Sequence, residues 1–168
     1  MRFRGINYDT GTFYVPGHLS RPDWSETLMV EQIRTISEEL HCNAVNVFGS
    51  DVGRIVATAE VALEAGLNVW VQPRLPDATT SATLQHFEDV AVAAEVLRVG
   101  QARLALNLGC ELTVFTAGLL PGNGYEQRAQ ALRWAWWLLL PSGQPSPQPP
   151  PGRRRCGDPG HLFRRDHL

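Results

Sequence analysis

Residues 42–51 read CNAVNVFGSD, and residues 62–73 read ALEAGLNVWVQP. Each contains a short apolar run rich in valine that stops at loop formers: Cys42–Phe48 runs into Gly49-Ser50-Asp51, and Leu67–Val71 into Pro73. Such runs read as buried strands, because β-branched residues fit a pleated surface and Gly or Pro ends the pairing. Between them, Ile55, Ala59, Ala62 and Leu63 recur at helical spacing, with Gly66 as the C-terminal stop. Strand, helix and strand in that order form one parallel unit.

The same alternation continues in both directions. Arg4–Tyr8 is a first strand, followed by a loop rich in turn formers (Asp9, Gly11, Pro16, Gly17, Ser20, Pro22). Asp23 or Ser25 caps the next helix, which has Glu26 near its positive end and Leu28, Ile33, Ile36 and Leu40 on one stripe. Ser81 is the expected cap of a third helix through Leu84, Phe87, Val90, Ala94 and Leu97. Leu104–Leu108 is a fourth strand, and another helix starts near Tyr125. Strands alternating with helices of a dozen or more residues predict right-handed crossovers and a parallel sheet. Either an open doubly wound sheet or part of a closed barrel satisfies the pattern. The first strand–helix turn lacks GxGxxG, so the dinucleotide fingerprint is missing, and the absence of a Gly-rich phosphate loop counts against a nucleotide enzyme on an open sheet.

The reading adopted is an α/β fold: a parallel (β/α) half-barrel, about four βα units of a TIM barrel, over residues 1–140. A complete eightfold barrel needs about 250 residues, more than the 168 present. From Pro141 the character changes. Residues 141–168 hold seven of the twelve prolines and five arginines against two aspartates, a net +3 beside −5 for the rest. That composition predicts a disordered tail. It suits a ligand for an SH3-like groove or an acidic surface, or else the product of a frameshift in a high-GC gene. The second is preferred, with the break between Leu132 and Leu140 and a truncated barrel as its consequence.

Composition narrows the chemistry. The net charge of −2 gives no reason to expect nucleic acid or a membrane surface as partner. Every basic residue is arginine, which removes Schiff-base lysine, lysine-anchored pyridoxal phosphate and P-loop mechanisms. Cys42, Cys110 and Cys156 lack metal-ligand spacing, and the start Met1-Arg2-Phe3-Arg4 has no apolar signal core. Trp134–Leu140 is too short an apolar run to span a membrane. A cytoplasmic protein without metal or other cofactor is expected.

In parallel β/α folds, the side chains that meet a ligand follow the C-terminal ends of the strands. Here those are Asn7, Tyr8 and Asp9; Asn46, Ser50 and Asp51; Gln72 and Arg74; Asn107 and Glu111. A rim of amides with an Asp, a Glu, an Arg and a Tyr suits a polyhydroxylated ligand. Glu111, beside Leu112 and Phe115, is placed to be a general acid with a raised pKa, or a solvated loop carboxylate. Asp9 orients substrate or stabilises its own turn. Asn7 and Asn46 bind hydroxyls or satisfy strand ends. Arg74 binds a carboxylate or, preferably, pairs with Asp77. Cys110 reads as a small buried hydrophobe, and His18, His41 and His86 as loop or helix-end residues without metal spacing. Trp134, Trp136 and Trp137 read as core or as an exposed apolar patch.

Four stretches, RGINYDTGT (4–12), CNAVNVFGSD (42–51), ALEAGLNVWVQP (62–73) and LGCELTVFTAGLLPG (108–122), together resemble actinobacterial barrel proteins of the glycoside-hydrolase-like superfamily, some of which carry an abortive-infection label. The resemblance covers roughly residues 2–132. It implies carbohydrate hydrolysis with the acid/base carboxylate after strand four, which falls on Glu111; the strand-end residues Asn7, Tyr8, Asp9, Asn46, Asp51, Gln72 and Arg74 are then the expected substrate-binding set, with Asn7, Asp9, Asn46 and Gln72 on sugar hydroxyls. Those enzymes place Asn before the Glu, where this chain has Cys110, and put their nucleophile after strand seven. Since hydrolysis takes two carboxyl groups, this chain by itself is expected to be inactive. The alternative is a non-catalytic interaction protein that forms a homo-oligomer through exposed sheet edges.

Overall fold

The computed structural model describes residues 3–100, 102–108 and 110–139, with side chains as far as Arg133. The tail 141–168 and the indole groups of Trp134, Trp136 and Trp137 lie outside the described residues. Elements follow the order β1 (Gly5–Asp9), β2 (Phe13–Val15), β3 (His18–Leu19), α1 (Glu26–Glu38), β4 (Ala44–Gly49), α2 (Val52–Glu64), β5 (Asn68–Pro73), α3 (Thr80–Arg98), β6 (Leu104–Leu106), α4 (Leu112–Phe115) and α5 (Tyr125–Leu139).

Four strands form one parallel sheet in the order β1-β4-β5-β6, with register Asn7↔Asn46↔Trp70 and Asp9↔Phe48↔Gln72 through its middle. The order follows the chain without reversal, so the sheet has no switch point of the doubly wound kind. Side chains alternate across it. Tyr8, Val45, Val47, Val69 and Val71 occupy one face, and there they form a single buried cluster with Met29, Ile33 and Ile36 of α1, Ile55, Ala59, Ala62 and Leu63 of α2, and Val90 and Ala94 of α3. All three crossover helices thus contribute buried residues to that face. The opposite face carries Asn7 and Asp9, Asn46 and Phe48, Trp70 and Gln72.

The helices start where local chemistry satisfies their first N–H groups. The Ser25 hydroxyl accepts from Leu28 N, the Asp51 carboxylate from Arg54 N, and the Thr79 hydroxyl from Ala82 N. The expected cap Ser81 thus falls inside α3, since Thr79 takes the cap two residues earlier. The expected apolar stripes also shift at their ends. Leu40 and Leu84 are 55% and 60% exposed, while Met29 and Thr58 are buried in their helices. A 3.6-residue period fixes the middle of a stripe better than its margins.

Two short elements break the expected first and last loops. β2 and β3 form an antiparallel hairpin, Val15 opposite His18, around Pro16-Gly17. Gly17 has φ +78°, as the third position of a type II turn demands. Its strands are too short for a two-residue period to show. α4 is a single turn, equally invisible to periodicity.

Candidate functional site

The loops at the C-terminal strand ends are tied down by backbone contacts. Thr10 and Thr12 are fully buried, Ser50 N donates to Gly11 O at 2.9 Å, and the Thr10 hydroxyl donates to Phe48 O at 3.0 Å. This packing needs glycine at 49, where a Cβ would stand 2.1 Å from Thr10 Oγ1. On the far side, Asp77 N donates to Phe115 O and Ala117 N to Ala78 O, both at 2.8 Å. Arg128, 1% exposed, donates to Val114 O at 2.6 Å, to Phe115 O at 3.2 Å and to the Asp77 carboxylate. Tyr14, Phe115 and Tyr125 stack beside this knot with ring centroids 5.9 to 6.2 Å apart.

Across the helix-free face runs a ladder of polar side chains. Asn46 Nδ2 donates to Asn7 Oδ1 at 3.0 Å and to Gln72 Oε1 at 3.3 Å. Gln72 Oε1 also accepts from Arg74 Nη2 at 2.8 Å and Nε at 3.3 Å. Arg74 Nη1 donates to the Tyr14 hydroxyl at 2.6 Å, and its guanidinium lies 3.7 Å from the centre of the Phe48 ring. Gln72 is 5% exposed, and Asn46 Oδ1 is a buried acceptor with no partner among the described residues. Asn7 is exposed at the open end of the ladder. Four of the expected residues (Asn7, Asn46, Gln72, Arg74) are therefore joined by hydrogen bonds, and Tyr14 joins them from a hairpin the sequence pattern did not announce.

The remaining expected residues fall elsewhere. Tyr8 points to the other face, 5% exposed, where its hydroxyl donates to Gln32 Oε1 at 2.9 Å and Arg21 lies over its ring. Strand alternation alone separates it from Asn7 and Asp9. Burial pushes its phenol up, against the opposing pull of Arg21. Asp9 accepts from Gly11 N at 2.8 Å, so its carboxylate serves the turn. Asp51 caps α2. Arg74 does not pair with Asp77, whose carboxylate is taken by Arg128. Glu111 is exposed instead of covered by Leu112 and Phe115, and its backbone is left-handed (φ 45°, ψ 40°) ahead of α4.

Cys110 is half-buried and unpaired. Burial pushes its thiol up, and the Glu111 charge acts in the same direction against Arg74, which disfavours a thiolate nucleophile. His86 sits in mid-helix on α3 and is 8% exposed; it was expected at a helix end. Burial holds its pKa below the usual range against Asp89, the Gly49 backbone and Asp51, and its Nε2 has no partner among the described residues.

A groove of about 440 Å³ opens between the edge of β1 and α1, and Asn7 lines it as well. Among its polar groups, Gln32 accepts from both Tyr8 and Arg21, and Asp9 accepts from Gly11 N. The amide ladder, with an open end and an unmet acceptor, is the better candidate. Among the described residues no helix is long and apolar enough to cross a membrane. No protein-family model matches the chain, and no curated protein is similar to it.

Proposed function

We propose that this chain is a glycoside-hydrolase-like half-barrel whose helix-free sheet face binds carbohydrate at the C-terminal strand ends. The observation that carries the reading is the Asn7–Asn46–Gln72 ladder, amides hydrogen-bonded across three neighbouring strands, with Asn46 opposite Asn7 and Gln72 two residues past the position opposite Asn46. Sugar hydroxyls each need both a donor and an acceptor, and fixed amides supply them at little entropic cost. The barrel reading is supported by the unreversed strand order and by all three crossover helices contributing buried residues to one face. A doubly wound sheet would carry helices on both.

Glu111 is the proton donor of this proposal, for the intact catalytic site. Its position after β6 and its strained left-handed backbone support the role, since such strain recurs at functional sites. Glycoside hydrolysis takes a second carboxyl group about 5 Å away in retaining enzymes and farther in inverting ones. The other strand-end carboxylates, Asp9, Asp51 and Asp77, are committed to a turn, a helix cap and Arg128. This chain therefore binds sugars without turning them over. Titrating it with a panel of neutral oligosaccharides and following amide resonances tests the reading. Saturable shifts at Asn7, Asn46 and Gln72, lost in Asn46→Ala, are expected; a panel without shifts overturns it.

A second reading has its own observation. Among the described residues β1 and β6 each pair on one side only, and Ile6 and Leu106 along them and Leu108 just beyond β6 are 41%, 39% and 43% exposed. An unpaired apolar edge invites another strand. A twofold axis along the strands would set β6 of one copy parallel to β1 of the next and give eight strands. Sedimentation separates the readings: a compact dimer supports a non-catalytic interaction protein, and a sugar-binding monomer supports the first.

A further inference from the structure

Arg74 holds an uncompensated charge inside this site. Its hydrogen-bond partners, Gln72 Oε1 and the Tyr14 hydroxyl, are neutral, as is the Phe48 ring beneath it. Arg34, Arg98 and Arg128 each meet a carboxylate; no carboxylate among the described residues lies within 4.0 Å of Arg74. A guanidinium has five N–H groups. The contacts of Arg74 engage one on Nε and one on each terminal nitrogen, so each terminal nitrogen keeps a second N–H without a partner among the described residues.

Stacking on Phe48 and the two hydrogen-bonded contacts fix the plane of this fork before any ligand arrives. A partly desolvated, preorganised cation with two free donors is matched by two oxygens that share a negative charge. A neutral hydroxyl leaves that charge unanswered. The ladder runs directly into Arg74 through Gln72, so a saccharide lying on Asn7 and Asn46 carries a ring substituent toward the guanidinium.

We propose that Arg74 is the subsite for an oxyanion borne by the sugar, which makes the preferred ligand an acidic saccharide, a hexuronate or a sugar phosphate. The proposal rests on the carbohydrate reading above and deepens it by assigning the ligand class.

The test titrates the full chain with three probes: digalacturonate, glucose 6-phosphate, and a neutral disaccharide of the same size. At low salt, about tenfold tighter binding of one acidic probe over the neutral one is expected, as charge-assisted hydrogen bonds supply. Which acidic probe wins distinguishes carboxylate from phosphate. The preference shrinks as salt rises. Arg74→Gln brings the ratio of acidic to neutral affinity to about one. Arg74→Lys, which keeps the charge on a longer flexible stem, retains only part of the preference, and an unchanged amide spectrum shows that either variant is folded. Equal binding of acidic and neutral probes overturns the proposal and leaves the carbohydrate reading standing. No binding of any probe overturns both.

Discussion

Asn46 donates both of its amide hydrogens sideways, to Asn7 on β1 and to Gln72 on β5, and leaves its own Oδ1 buried without a partner among the described residues. One residue thus links three strands and offers the acceptor a ligand hydroxyl would complete. Asn46→Ala removes two hydrogen bonds and, with them, the orphaned acceptor. The loss in stability is about 1 kcal/mol, because relieving an unsatisfied group offsets part of the cost. Saccharide binding falls much further, by tenfold or more. Calorimetric titration beside a denaturant melt checks both, and a parallel loss of stability and binding would contradict the role given to Asn46.

Asp51 was a candidate ligand by position, yet its carboxylate accepts from Arg54 N at 2.8 Å at the start of α2. Asp51→Ala is expected to cost about 1 kcal/mol of stability. Asp51→Asn costs little, since asparagine caps as well. Neither changes saccharide affinity more than twofold. A large affinity loss in Asp51→Asn would return this residue to the site.

The sheet was legible in the sequence because Val45, Val47, Val69 and Val71 sit in short runs closed by Gly49 and Pro73. Which face each rim residue occupies was less legible. Tyr8 lies between Asn7 and Asp9 in sequence and across the sheet from them in space, so a list of strand-end residues merges two faces that alternation divides. The loops were hardest. Tyr14 enters the site from a hairpin only a few residues long, and Arg128, fifty-one positions from Asp77, takes the carboxylate expected for Arg74. Pairings across such separations leave no local signal. The sequence offered Asn7, Asn46 and Gln72 as rim residues, but Asn7 and Asn46 lie in mid-strand, and their joining into a ladder depends on register.

Arg128 joins the loop after β5 to the start of α5. It is buried, and the described structure gives its charge one carboxylate, Asp77, whose side chain is 33% exposed. Asp77→Asn leaves the guanidinium buried without an anion. Full burial of an unpaired charge costs about 3–5 kcal/mol, and exposure of the Asp77 side lowers the expected loss to about 2 kcal/mol. Arg128→Met, which removes the buried charge as well, should destabilise less than Asp77→Asn. Urea melts of the two variants decide the order, and the reverse order would mean that the carbonyl contacts of Arg128 dominate.

His86 gives the fold a pH dependence. Burial, its largest influence, favours the neutral ring over the imidazolium, and Asp89, Gly49 and Asp51 oppose it without restoring the usual value. The folded pKa lies below the unfolded one, so between them the unfolded chain binds more protons. Stability therefore rises with pH through this window, and it falls as the pH drops below about 6.5. His86→Phe keeps an aromatic ring without a titratable group and abolishes this part of the slope. Melting temperatures between pH 5 and 8 test it: matching slopes for the two proteins would show that His86 does not carry the effect.

Glu111 occupies the left-handed region at φ 45°, which costs a residue with a Cβ about 1–2 kcal/mol. Glycine escapes that cost but loses more chain entropy on folding, about 0.4–1 kcal/mol. The balance favours Glu111→Gly by about 0.5 kcal/mol, so deleting the side chain should raise the melting temperature. Glu111→Val should lower it, because a β-branched residue tolerates this backbone least. A stabilised Glu111→Gly would mean that the carboxylate is held at an energetic cost, as at a catalytic position. A destabilised one would mean that Glu111 makes contacts that outweigh the strain, and its role as proton donor would lose that support.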